Sequence, residues 1–178
     1  MCIRDRLYMD KAAREHLQSP AFRTRLQNTL PIADIDPSQF GVIYFTGGHG
    51  VMWDFPNNPD LRRVAETIYN QGGIVSAVCH GVAGLLDLKD EKGQLIIKGK
   101  NITGFSDREE LFSGMKNQVP FVLEDKLVSQ GARYRKGWLP FTSFAITDGR
   151  LVTGQNPQSP KAVAEAVVAV LSGNNVAR

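Results

Sequence analysis

The chain has 178 residues, of which 42% are apolar and 22% charged, with a net charge of +3. That length carries one domain with a real core, and the composition is ordinary for a soluble globular protein. No basic stretch interleaved with aromatics points to nucleic acid, no apolar run approaches the roughly 18 residues of a membrane span, and the charged head Met1–Asp10 lacks the apolar region of a secretory signal.

The first 40 residues are mostly polar, with helical patterns over 9–17 and 20–28, before Pro31 and Pro37 break the chain. Gly41-Val-Ile-Tyr-Phe45 is an apolar run ending in Thr46-Gly47-Gly48-His49-Gly50, which predicts a buried strand stopping at a glycine-rich loop. Residues 58–70 have helical apolar spacing with Pro59 in the first turn, and Gly72-Gly73 ends that helix. Ile74–Val78 predicts a second buried strand, and Gly81–Leu86 the start of a helix.

Further on, Asn101–Phe105 predicts a strand, Pro120–Gln130 a helix closed by Gly131, and 132–136 a short strand. Ser143–Thr147 and Leu151–Thr153 flank the turn dipeptide Asp148-Gly149. Ser159–Leu171 predicts a closing amphipathic helix with Ser159 as N-cap and Pro160 in its first position. Alternating strands and helices imply an α/β fold with a mostly parallel sheet covered on both faces. No repeat or low-complexity linker divides the chain, so residues 1–178 are expected to form a single domain.

The most informative stretch is Ile74-Val-Ser-Ala-Val-Cys-His-Gly-Val-Ala-Gly84. A buried strand runs straight into Cys79, and the small residues Gly81, Ala83 and Gly84 let the backbone turn close to the sheet. A nucleophile on such a turn stands at the carboxyl end of the strand, where α/β sheets place their ligands. The N–H groups and dipole of a helix beginning here are expected to lower the thiol pKa. His80 is a candidate proton carrier. The loop around Gly48 and His49 ends a neighbouring strand and is a candidate source of an oxyanion-hole N–H, with the N–H of His80 as the second donor.

The cysteines are Cys2 and Cys79 only; a disulfide would have to join the N-terminal head to a buried strand end, so free thiols in a reducing cytoplasm are expected. The three histidines, His16, His49 and His80, are too scattered for a metal-site spacing, so no metal is expected. No histidine follows His80, which argues against the downstream-histidine triads of glutaminases and α/β-hydrolases.

Phe45-Thr-Gly-Gly-His-Gly-Val-Met-Trp-Asp54, Ala77-Val-Cys-His-Gly81 and Val152-Thr-Gly-Gln-Asn-Pro157, in that order, resemble the intracellular protease I / protein deglycase superfamily, which has the class I glutamine-amidotransferase-like fold. Met52-Trp53-Asp54 and Gly154-Gln155-Asn156-Pro157 are similar to its glyoxalase III and heat-shock chaperone branch, over residues 15–172. The resemblance implies a flavodoxin-like three-layer sandwich, a homodimer, and a cofactor-free conversion of methylglyoxal or glyoxal to lactate or glycolate. Cys79 matches its nucleophile and His80 the histidine of its triad. Its acid falls in Gly104-Phe-Ser-Asp-Arg-Glu-Glu110, where Glu110 is the choice and Glu109 the fallback. Gly48, His49, Trp53 and Asn156 are expected at the oxyanion or substrate, and Trp138 as a second pocket wall.

The resemblance also marks a departure. Family members open with a strand, a helix and a second strand, and carry a proton-carrying glutamate after the first strand. Nothing in Met1–Asp10 matches that strand, so the chain is expected to be N-terminally truncated, with residues 1–8 a non-native head and no residue assigned the glutamate's role. Loss of an internal strand would leave an unpaired sheet edge. Three functions therefore compete. The first is a glyoxalase III-like lyase acting on a small 2-oxoaldehyde. The second is a holdase chaperone for unfolded clients, or a deglycase, of the same family. The third is a truncated inactive or redox-sensing chain.

Overall fold

The computed structural model describes residues 11–173. The expected non-native head and Cys2 lie outside the described residues. The chain divides after Ile35 into two compact units.

In the first unit, α1 (Lys11–Gln18) and α2 (Pro20–Gln27) are short helices followed by a 3-10 turn at Ile32–Asp34. Pro20 sits in the first turn of α2, and none of that helix's residues is buried.

In the second unit, β1 (Val42–Phe45) follows a 3-10 turn at Pro37–Gln39 and leads to the one-turn helix α3 (Val51–Asp54). Helix α4 (Pro59–Asn70) starts where Asn58 accepts the backbone N–H groups of Asp60 and Leu61. It buries Val64, Ala65 and Ile68 and packs on β1 and β2 (Ile74–Val78); the two branched side chains contribute about 1.5–3 kcal/mol each. All five residues of β2 are buried, which is why four of them are apolar rather than alternating with polar ones; the buried Ser76 hydroxyl donates to the Ile43 carbonyl.

A 3-10 turn at Cys79–Leu85 follows, then β3 (Asn101–Ile102), α5 (Asp107–Ser113), α6 (Leu123–Ser129) and β4 (Arg133–Tyr134). The hairpin β5 (Ala145–Asp148) and β6 (Leu151–Gly154) precedes α7 (Pro160–Leu171), which packs on β2, β5 and β6. The main sheet has the order β1-β2-β6-β5. β1, β2 and β6 run parallel and β5 antiparallel. The expected mostly parallel α/β sheet is present, and β3 and β4 form a separate parallel pair. β1 pairs with β2 alone among the described strands. The register sets Phe45 beside Ala77 and Val78 beside Gly154. The loops after β1, β2 and β6 therefore emerge together at one carboxyl end of the sheet.

Four expectations are corrected. The segment after β2 is a 3-10 turn starting at Cys79 itself, not an α-helix from Gly81; it is pressed so close to β1 that a Cβ on Gly81 would lie 2.4 Å from the carbonyl oxygen of Phe45. The strand predicted over 101–105 stops at Ile102, and the Phe105 N–H instead donates to the carbonyl of Cys79. Helix α6 begins at Leu123 rather than Pro120, because Val122 is still extended. Ser159 precedes α7 but makes no side-chain cap; its hydroxyl donates to Asn156 Oδ1 and accepts from the Phe144 N–H.

Candidate active site

Cys79 has φ of +59°, a left-handed conformation that a non-glycine residue adopts only when its surroundings impose it. The imposing contacts are small-residue contacts. A Cβ on Gly47 would stand 2.8 Å from Cys79 Cβ, so the loop after β1 can lie against the turn only with glycine at that position. Gly48 has φ of +120°, a conformation open to glycine. The backbone N–H groups of Gly48 and His80 lie close enough to the Cys79 sulfur to favour its ionised form. These are the two donors that the sequence nominates for an oxyanion hole.

Cys79 is 6% exposed. Burial pushes its thiol up to about 12, against the pull of the His80 and Gly48 N–H groups and with a further push from the charges of Glu109 and Glu110. The resting thiol is therefore protonated, the reverse of the lowered pKa expected from a helix N-terminus. No α-helix starts at Cys79, and desolvation outweighs two backbone donors.

His80 is fully buried, with Nδ1 3.5 Å from Cys79 Sγ and Nε2 2.6 Å from Glu110 Oε2. Phe105 covers the ring at 4.3 Å between centroids. Burial holds the imidazole below its usual pKa, although Glu110 pulls the other way. With Glu110 ionised, the imidazole proton sits on Nε2 and the Nδ1 lone pair faces the thiol.

Glu110 is pushed up by burial, but the hydrogen bonds from His49 and His80 outweigh that push and hold its carboxyl at about 2. Its second oxygen, Oε1, lies 3.1 Å from His49 Nε2. The His49 and His80 rings are 4.2 Å apart. The histidines that look scattered in the sequence are thus gathered on one carboxylate. Among the described residues, one group offers metal-ligand geometry: His49, His80 and Glu110, whose ligand atoms all lie within 4.8 Å of one another.

Glu109, the fallback acid, turns to another side of α5 and does a different job. It is fully buried and forms a reciprocal capping box with Ser106. Its Oε1 also accepts from the Phe141 N–H at 2.8 Å and from Asn156 Nδ2 at 2.9 Å. The signal for this was present in Ser106-Asp-Arg-Glu109, a capping-box pattern; the further clamp on Phe141 and Asn156 left no signal in the sequence.

Asn156, expected at the substrate, is buried and fully engaged: its amide donates to Glu109 and to the Thr142 carbonyl, and its oxygen accepts from Ser159 and Gln158. Trp53 stays half exposed on α3, outside the hydrogen-bonded cluster. Trp138 is 91% exposed and borders a cleft of about 250 Å³ with Ser106, Arg108 and Lys136. A cavity of about 630 Å³ lies at the opposite, amino end of β1 and β2, beside Gly41, Gly73 and Arg150. Among the described residues no helix is long and apolar enough to cross a membrane.

Residues 18–170 match the DJ-1/PfpI family. Glyoxalase 3 of Candida albicans is 41% identical over 86% of this chain and 67% of its own length. The glutathione-independent glyoxalase HSP31 of Saccharomyces cerevisiae is 39% identical over 74% of this chain and 57% of its own. The crystal structure of glyoxalase III from Candida albicans superposes with a TM-score of 0.82 at 38% identity, covering 90% of this chain and 70% of that one. The chain thus spans between 57% and 67% of the length of these two curated relatives, and it shares the flavodoxin-like α/β fold of the solved relative.

Proposed function

The chain belongs to the DJ-1/PfpI family, and on that footing we propose that it is a glutathione-independent glyoxalase that isomerises and hydrates a small 2-oxoaldehyde to a 2-hydroxy acid. The observation that carries the reading is the continuous series Cys79 Sγ, His80 Nδ1, His80 Nε2, Glu110 Oε2, at 3.5 Å and 2.6 Å, with the backbone N–H groups of Gly48 and His80 favouring the ionised thiol. The glyoxalase names of the relatives supply the substrate class.

His80 Nδ1 takes the thiol proton as the sulfur adds to the aldehyde carbon of methylglyoxal. The imidazolium that forms is stabilised by Glu110. The oxygen of the adduct lies near the N–H groups of Gly48 and His80, which stabilise its developing charge. The hemithioacetal's carbon-bound proton then moves to the neighbouring carbon through an enediol, and water hydrolyses the resulting thioester to lactate and the free thiol. The first step and the charge stabilisation fall to residues described above. The carbon-to-carbon proton shift calls for a second acid-base group, which the family resemblance places on a glutamate and on none of the described residues. A reducing compartment, as in the cytoplasm, would keep Cys79 free. The test is loss of methylglyoxal without added glutathione, with lactate as the product, by the chain and by a version extended with a family-like first strand, helix and second strand; two folded proteins that both leave methylglyoxal intact would refute the assignment.

A second reading, holdase activity toward unfolded clients, is favoured by one feature. Helix α5 buries its glutamates and exposes Leu111 and Phe112, at 62% and 63%. That face would serve a client or a second copy of the chain. Suppression of client aggregation should survive Cys79→Ser and fall with Phe112→Ser; the opposite pattern would exclude it.

A further inference from the structure

A cysteine-histidine-acid relay uses one oxygen of its carboxylate. Here the other oxygen of Glu110 holds a second imidazole, His49, which the relay does not need. His49 arrives from a different loop, and 32% of its side chain is exposed while His80 and Glu110 are covered. The cluster is therefore closed on the protein side and open to solvent at one ligand.

We propose that His49, His80 and Glu110 form a binding site for one borderline divalent transition-metal ion, of which Zn2+ is the fitting case, and that its binding switches the cysteine chemistry off. Two imidazoles and a carboxylate are a zinc donor set with a fourth position left for water. Ligand atoms about 2 Å from a tetrahedral ion lie about 3.3 Å from one another. One ligand atom from each of His49, His80 and Glu110 lies within 4.8 Å of the others, so the widest pair must close by up to about 1.5 Å to share one tetrahedral ion. Metals bind deprotonated carboxylates and neutral imidazoles.

The inhibition follows from proton placement. To bind metal, each Nε2 gives up its proton, and each imidazole carries its remaining proton on Nδ1. His80 Nδ1 then presents an N–H to Cys79 Sγ and cannot accept the thiol proton. Cys79 itself lies on the Nδ1 side of the ring and is not a ligand.

The binding half rests on geometry alone; the inhibitory half rests on the glyoxalase reading. Zinc chloride titrated against the full chain, in competition with a chromogenic chelator, reads the first. Wild type and Cys79→Ser should each bind one zinc with equal affinity. His49→Asn and Glu110→Gln should bind at least about tenfold more weakly, the scale on which even the partners of a metal ligand count. Because His49 is partly exposed, His49→Asn is expected to fold, which its thermal melt checks. No zinc at that stoichiometry, affinity indifferent to His49, or loss of binding in Cys79→Ser would overturn the site. In the activity arm, turnover lost with zinc and restored by chelation supports the switch, and zinc-loaded chain at full turnover overturns it. A chain that binds zinc through His49 yet never consumes methylglyoxal, alone or extended with a family-like first strand, helix and second strand, would sink the glyoxalase reading and leave the metal site standing.

Discussion

Glu110 holds His80 at 2.6 Å with one carboxylate oxygen and, with the other, reaches His49 at 3.1 Å. One buried charge thus fixes the tautomer of His80 and ties the glycine loop after β1 to the elbow after β2. Removing that charge while keeping its shape separates the two tasks. Glu110→Gln should lower kcat for methylglyoxal by roughly ten-thousandfold, the scale seen when a triad carboxylate becomes an amide, with the chain still folded by circular dichroism. A kcat within a few-fold of wild type would remove Glu110 from the relay.

Glu109 should behave in the opposite sense. Its carboxylate accepts from Ser106, Phe141 and Asn156 in the core. Glu109→Ala leaves those donors unpaired and should cost about 3 kcal/mol in urea unfolding. Stability within about 0.5 kcal/mol of wild type would contradict the clamp.

Acid should destabilise the protein in two stages of the same sign. His80 is held below its ordinary pKa of 6.5, so the unfolded chain binds its proton first and stability declines as pH falls below that value. Glu110 is held at about 2 against an ordinary 4.5. Its contribution is full above pH 4.5 and is lost as pH falls toward 2. For this buried carboxyl the shift corresponds to about 3 kcal/mol. Urea midpoints across the acid range test this, and Glu110→Gln should flatten the lower stage.

The resting thiol should be unreactive. With Cys79 at about 12 and 6% exposed, alkylation by iodoacetamide at neutral pH should run at least about a hundredfold slower than for a free cysteine. Alkylation as fast as a free thiol would mean that Cys79 is already ionised without substrate.

How much of this was legible in the sequence depends on the range of the forces involved. β2 and the elbow were legible because a strand buried on both faces is apolar at nearly every position, and because only glycine fits against Phe45 at position 81. The Asn58-Pro59 start of α4 was legible because caps are local. The strand at 101 was overextended, because the tertiary bond from Phe105 N–H to the Cys79 carbonyl ends it. The histidine cluster was invisible, since His49 and Glu110 stand 61 positions apart and meet only when the sheet register aligns their loops. The direction of the Cys79 shift was misjudged for the same reason, because desolvation is set by what packs over the thiol and not by its neighbours in the chain. The choice between Glu109 and Glu110 turned on which side of one helical turn faces the histidines.

The most direct test of the account is lactate formed from methylglyoxal, without glutathione, by wild type and Cys79→Ser side by side. The account predicts lactate from the wild type and at least roughly a thousandfold less from Cys79→Ser, with both proteins folded. Equal rates from the two would contradict the claim that Cys79 is the nucleophile.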